Sequence, residues 1–283
     1  MTRGIEIFEV GPRDGLQNEA RPIPTAEKIA LIDTLSRAGF RRIEVASFVS
    51  PKWVPQMADG AEVLAGIARA PGVRYAALTP NLKGYQRARA ARADEIAIFG
   101  AASEGFSRAN INATIAESLD RFAPVAEAAR ADGLPMRGYI SCVTDCPYDG
   151  PTPPGKVAEV AQRLLALGCY EISLGDTIGQ GTPESVTAML NAVLAVVPSD
   201  RLAGHFHDTA GRALANIEAS LALGLRVFDA AVGGLGGCPY AKGATGNVAT
   251  EAVAARLAEL GYDTGLDLDV IARAAEMARA MRG

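Results

Sequence analysis

Eight short apolar runs, each followed by a segment of helical period, predict an α/β chain closed into a (β/α)8 TIM barrel. The strand candidates are Ile5–Val10, Arg42–Phe48, Val73–Thr79 and Glu95–Gly100, then Met136–Val143, Tyr170–Gly175, Leu202–His207 and Val227–Val232. Alternating strand and helix requires parallel strands with helical crossovers. A second observation is uniformity: no shift in composition divides the 283 residues, a length that suits a barrel. A third weighs against an open doubly wound sheet. Gly233-Gly234-Leu235-Gly236-Gly237 lacks the GxGxxG spacing of a dinucleotide site and follows the last strand rather than the first. One domain over residues 1–283 is expected, ending in a short helical extension from about 265 to 283.

The segments between the strands carry helical punctuation. Thr25 is placed to cap a helix bearing Ile29, Ile32 and Leu35, which Gly39 ends. Thr114 and Glu117 have capping-box spacing ahead of Leu119 and Phe122. Val157, Val160, Ala161, Leu164 and Leu165 form an i, i+3, i+4, i+7, i+8 stripe stopped by Gly168. Thr182-Pro183-Glu184 reads as cap, first-position proline and first-turn acid. The prolines at 151, 153 and 154 read as a loop rather than a domain boundary.

Composition narrows the function classes. The formal charge is −4 with both signs interspersed, and no basic stripe alternates with aromatics, so a nucleic-acid partner is not expected. No apolar run reaches the roughly 18 residues of a membrane helix. The N-terminus passes straight into a strand-like run, which leaves no room for a targeting peptide and predicts a cytoplasmic location. The four cysteines form no CxxC pair and read as reduced thiols. Of these, Cys142, Cys146 and Cys169 read as small buried hydrophobes.

In a barrel, chemistry belongs to the loops after the strands, and the polar clusters of this sequence fall there. Gly204-His205-Phe206-His207-Asp208-Thr209 contains both histidines of the chain. On a strand, residues i and i+2 share a face, so both imidazoles look into one space. Asp14, in the loop after the first strand, is the natural carboxylate partner, although taken singly it reads as a turn aspartate. Asn247 can add a neutral oxygen or cap the next helix. An Asp/His/His/Asn set without thiolate suits Mg2+ or Mn2+, and two histidines with a carboxylate also suit Fe(II). Arg13 can hold a carboxylate or polarise a carbonyl. Glu44, inside an apolar strand, needs a partner when buried, and Arg13 is the candidate. Asp176 can move a proton or simply cap the turn after it. Cys238 sits in a Gly-rich loop where a thiol, mostly protonated at neutral pH, can act as an acid.

These stretches carry a resemblance. Glu9-Val10-Gly11-Pro12-Arg13-Asp14-Gly15-Leu16-Gln17-Asn18-Glu19, the run from Ser47 to Met57 with Pro51-Lys52-Trp53-Val54-Pro55-Gln56, Ser173-Leu174-Gly175-Asp176-Thr177-Ile178-Gly179, the His-x-His stretch and Gly236-Gly237-Cys238-Pro239-Tyr240-Ala241 span nearly the whole chain. Together they resemble the 3-hydroxy-3-methylglutaryl-CoA lyases, a branch of the metallolyase superfamily of TIM barrels. The resemblance implies metal ligands Asp14, His205, His207 and Asn247, and a catalytic group of Arg13, Asp14, Glu44, Asp176 and Cys238. It implies an acyl-CoA substrate, cleaved to acetyl-CoA and acetoacetate in leucine breakdown, and by analogy a homodimer. Val45-Ala46 and Ala113 depart from the residues common in the family, which leaves the acyl group open. A lyase for another 3-hydroxy-3-alkylglutaryl-CoA, such as the isohexenyl compound, is one alternative; a Claisen-type condensing enzyme is another.

Overall fold

The computed structural model describes residues 4–236 and 246–282. Eight parallel strands close into a barrel: β1 (Glu6–Glu9), β2 (Arg42–Ser47), β3 (Arg74–Leu78), β4 (Glu95–Ala101), β5 (Met136–Ser141), β6 (Glu171–Asp176), β7 (Leu202–Phe206) and β8 (Val227–Ala230). Each pairs with its neighbour in chain order, and β8 closes on β1 with Glu6 opposite Val227 and Glu9 opposite Ala230. Strands in a covered parallel sheet are buried on both faces and lose the apolar/polar alternation of an open sheet. All six residues of β2 and all six of β6 are accordingly buried.

Several strands stop earlier than the apolar runs predict. Val10 leaves the ladder because its carbonyl accepts from the N–H groups of Arg13, Asp14 and Gly15 (3.2, 2.8 and 3.2 Å). His207 leaves it for an antiparallel bridge to Asn247. Strand β6 instead runs on to Asp176, which pairs with Phe206.

The surrounding helices are α1 (Thr25–Leu35), α2 (Gly60–Gly66), α3 (Leu82–Ala90), α4 (Glu104–Ile111), α5 (Ile115–Asp132), α6 (Pro154–Leu167), α7 (Pro183–Leu194), α8 (Ala213–Ala222), α9 (Thr250–Glu259) and α10 (Leu268–Met281). The capping box at Thr114 and Glu117 forms, and Thr182 caps α7 by accepting from the Ser185 N–H. Thr25 corrects the sequence reading. It is the first helical residue of α1 rather than its cap, and its hydroxyl donates to Asp59 Oδ2 at 2.8 Å. Gly150–Pro151 pairs with Asp145–Cys146 in a small antiparallel hairpin between β5 and α6, and Pro154 then starts α6. The helical extension is packed: Ile271, Ala274, Ala275 and Ala278 of α10 are buried, and the helix lies against α1 and α9.

Inside the barrel, charged residues from β1, β2, β5, β6 and β8 form one hydrogen-bonded chain. Arg42 donates to Glu6 (2.6 Å) and to Glu171 (2.9 and 3.2 Å). Arg137, fully buried, donates to Glu171 at 2.7 Å and to both oxygens of Asp229 at 3.0 and 2.7 Å. Its guanidinium lies 4.4 Å from the ring centroid of Phe8 and 4.9 Å from that of Tyr139. Buried charges persist only when paired and hydrogen-bonded, and every member of this chain meets that condition. On the outside, the α6 stripe behaves as its period demands, with Val157, Val160, Ala161 and Leu164 buried and Leu165 only partly so. Leu164→Ala is therefore expected to cost about 2–5 kcal/mol in urea unfolding, and Leu165→Ala clearly less. Equal losses would mean that α6 presents a different face to the barrel.

Candidate active site

The site begins at the carboxyl end of β1. The crowded turn Gly11–Gly15 places Arg13 and Asp14 side by side over the barrel mouth. Its position is fixed by Glu9, whose carboxylate accepts from the N–H groups of Gly11 (2.7 Å) and Val232 (3.0 Å) and the hydroxyl of Thr250 (2.7 Å). The first and last strand-end loops are thus tied to one buried carboxylate. Burial pushes the Glu9 carboxyl up to about 7 against the pull of those donors. A Cβ at Gly11 would lie 2.6 Å from Glu9 Oε1, so a larger residue there must displace that carboxylate.

Asp14 converges with His205 and His207, one ligand atom from each lying within 4.8 Å of the others. His205 Nε2 is 3.9 Å from Asp14 Oδ2, and the two imidazole rings are 5.4 Å apart. Asn247 reaches the same point through the backbone bridge to His207, and its Nδ2 donates to Asp14 Oδ2 at 2.8 Å. It does not cap the following helix, whose N-cap is Ala249 without a side-chain bond. In this amide orientation the nitrogen faces the carboxylate; rotation about the side-chain bond presents the oxygen instead.

Arg13 is buried, so its role is not that of a surface ion pair. Its Nε donates to Glu44 Oε2 at 2.5 Å and its Nη1 to Asp14 Oδ1 at 2.6 Å. The partner expected for Glu44 is the partner found. Burial alone would raise the Asp14 carboxyl, but the Arg13 charge, the two imidazoles and the Asn247 amide bring it down to about 2. Burial and the neighbouring His205 lower His207 to about 4. Burial lowers His205 as well, yet its hydrogen bond to Asp229 and the negative charges of Asp229 and Asp14 together outweigh that and raise it. An anionic carboxylate and a neutral imidazole are the donor forms that a divalent ion requires. His207 Nδ1 is buried without a hydrogen-bond partner among the described residues. An orphaned buried acceptor costs on the order of 1–3 kcal/mol, and a cation would satisfy it. The set fits a divalent ion.

Not every expected residue joins this cluster. Asp176 is spent on other groups: it accepts from Thr144 Oγ1 (2.9 Å) and from the N–H groups of Gln180 (3.2 Å) and Gly181 (2.9 Å). That is the turn-capping reading which the sequence left open. Cys238 lies outside the described residues. Cys142, Cys146 and Cys169 are buried free thiols, as read from the sequence. Two residues were missed. Asp229 lies 3.1 Å from His205 Nδ1, and the Tyr139 ring stands 6.3 Å from the His205 ring with a hydroxyl that has no partner among the described residues. The signal for Asp229 was available, because an acid inside Val227-Phe228-Asp229-Ala230 poses the same question as Glu44.

Fold and site together define a parallel barrel enzyme with a carboxylate, two imidazoles and a buried arginine at the carboxyl-terminal mouth. Residues 4–278 match the HMGL-like family model, and the chain belongs to that family; with relatives named hydroxymethylglutaryl-CoA lyase, it is a carbon–carbon lyase. It is 58% identical over 283 residues, covering 100% of this chain and 94% of the relative, to the 3-hydroxy-3-isohexenylglutaryl-CoA/hydroxymethylglutaryl-CoA lyase of Pseudomonas aeruginosa. The crystal structure of the HMG-CoA lyase from Brucella melitensis superposes with a TM-score of 0.98 at 63% identity, covering 99% of both chains. An HMG-CoA lyase from Acinetobacter baumannii, in complex with coenzyme A and 3-methylmalate, superposes with a TM-score of 0.93 at 40% identity, covering 98% of this chain and 91% of that one.

Arg13 is the only hydrogen-bond partner that Glu44 has in the described structure. Arg13→Met is expected to lose about 3–5 kcal/mol at neutral pH, since it strands a buried carboxylate. Burial already holds the Glu44 carboxyl above its usual range, and loss of Arg13 raises it further. A carboxyl raised on folding contributes stability below its unfolded value and loses it as pH rises through the folded one. The variant should therefore recover on acidification in urea titrations, and a loss independent of pH would refute this account.

Proposed function

We propose that the chain cleaves 3-hydroxy-3-methylglutaryl-CoA to acetyl-CoA and acetoacetate, with Mg2+ or Mn2+ held by Asp14, His205, His207 and Asn247. The observation that carries the reading is the convergence of half-buried Asp14 and His207 on buried His205, beside Arg13 and Glu44, in a chain of this family. A coenzyme A-bound relative of the same fold supports the thioester as the substrate's handle. The reaction unit is residues 1–283 as one catalytic domain; the expectations of a homodimer and a cytoplasmic location rest on resemblance.

Retro-Claisen cleavage removes the proton of the tertiary hydroxyl. The C–C electron pair then passes to the thioester, leaving acetoacetate and the enolate of acetyl-CoA, which takes a proton at carbon. A bound divalent ion supplies charge stabilisation for the alkoxide, worth several kcal/mol. The hydroxyl proton is assigned to Asp14, the anionic member of the cluster. Asp176 is the alternative carrier, its carboxylate held by Thr144 and by the N–H groups of Gln180 and Gly181. Of the five N–H groups of Arg13, those not bound to Glu44 and Asp14 remain for the thioester oxygen as it gains enolate charge. Glu44 holds that guanidinium in place. Cys238 is assigned the proton donated to carbon, from the chemistry of a protonated thiol.

Acetoacetate release should require Mg2+ or Mn2+ and stop on chelation; release that survives chelation would defeat the metal assignment. Cys238→Ala is expected to lower turnover about 10²–10⁴-fold while leaving metal binding intact. Unchanged turnover would remove the thiol from the mechanism. The isohexenyl substrate is a second reading, supported by the double name of the Pseudomonas aeruginosa relative. It wins if the long-chain thioester has the higher kcat/KM.

A further inference from the structure

Asp229 touches no reacting group, yet it is the only described carboxylate on the inner nitrogen of His205. The two residues face each other across neighbouring parallel strands, Asp229 of β8 opposite His205 of β7. His205 Nδ1 lies 3.1 Å from Asp229 Oδ2, while Nε2 points the other way, 3.9 Å from Asp14 Oδ2. An ionised carboxylate only accepts hydrogen bonds, so Nδ1 must carry the hydrogen and a neutral ring keeps its lone pair on Nε2.

We propose that Asp229, clamped by Arg137, is a positioning residue that fixes His205 as the Nδ1–H tautomer and so reserves Nε2 for the cation.

The carboxylate cannot turn away. Arg137 donates to both of its oxygens at 3.0 and 2.7 Å, and Ser173 Oγ donates to Oδ2 at 2.7 Å. Arg137 is in turn held by Glu171 at 2.7 Å and by the rings of Phe8 and Tyr139. Partners on the outer nitrogen of a metal-binding histidine orient the ring and raise its basicity. Here the orientation is anchored through the ion chain to the amino-terminal end of the barrel, at Arg42 and Glu6. The proposal rests on the metal-lyase reading for the purpose of the clamp, but the tautomer itself is a property of the chain.

The chain has two histidines, so a long-range ¹H–¹⁵N spectrum of the tag-free protein shows two imidazoles, and His207→Gln assigns them. In metal-free wild-type protein at alkaline pH, His205 is expected as Nδ1–H, and titration with Mg2+ should shift its Nε2 resonance. An Nε2–H tautomer would overturn the proposal, and this result needs no variant to fold. Asp229→Asn sets an amide hydrogen against donors that all require an acceptor. It is expected to release the tautomer preference and weaken Mg2+ binding about 10–100-fold by calorimetry. A folded Asp229→Asn protein with wild-type affinity for Mg2+ would equally overturn it. The spectrum is recorded without substrate, so its failure is distinguishable from failure of the lyase assay.

Discussion

Charge pairing inside the barrel is the interaction on which the rest depends. Glu6, Arg42, Glu171, Arg137 and Asp229 come from five strands and meet in one hydrogen-bonded chain, with no member left to face the interior alone. Removing one partner of a buried pair costs several kcal/mol, so each strand must hold its register for the others to be tolerated. Parallel strands slip by even steps if only apolar packing holds them; the forked bonds of Arg137 to Asp229 and of Arg42 to Glu171 oppose such slips. The same chain ends on His205, where the stability of the barrel and the geometry of the site become one question.

A second constraint comes from ring closure. Asp14 and Asn247 are 233 residues apart, and their hydrogen bond exists because β1 and β8 are neighbours. Glu9 makes the closure firm. It accepts from the first loop at Gly11 and from the last at Val232 and Thr250, so loops of opposite ends of the chain share one anchor. With the loops held, Arg13 can satisfy Glu44 and Asp14 together. Its charge, with the two imidazoles and the Asn247 amide, outweighs the effect of burial on the Asp14 carboxyl.

Much of this was legible because the chemistry leaves marks in residue type and spacing. His205 and His207 share a face by strand period alone, and Glu44 announced a buried partner because an acid does not sit in an apolar strand without one. Asp176 was readable only as two possibilities, since a turn cap and a proton carrier have the same side chain; the positions of Thr144, Gln180 and Gly181 favour the cap. Thr25 was misread because its capping pattern is local, whereas the hydroxyl finds Asp59 across a helix pair. Asp229 was legible as an acid inside an apolar strand, but its partners were not, since they lie on strands β5, β6 and β7.

By itself the sequence determined the alternation of strand and helix, the closure into a barrel, the family and the residues that crowd its mouth. These follow from periods, caps and motifs, which act over a few residues and repeat along the chain. Tertiary structure decided the rest: that Asn247 turns its amide to Asp14, that Arg137 bridges Glu171 and Asp229, and that Asp229 in turn meets His205. The reason is physical. A hydrogen bond or buried ion pair depends on distances of a few ångströms between atoms far apart in the chain, and only the closed barrel sets those distances.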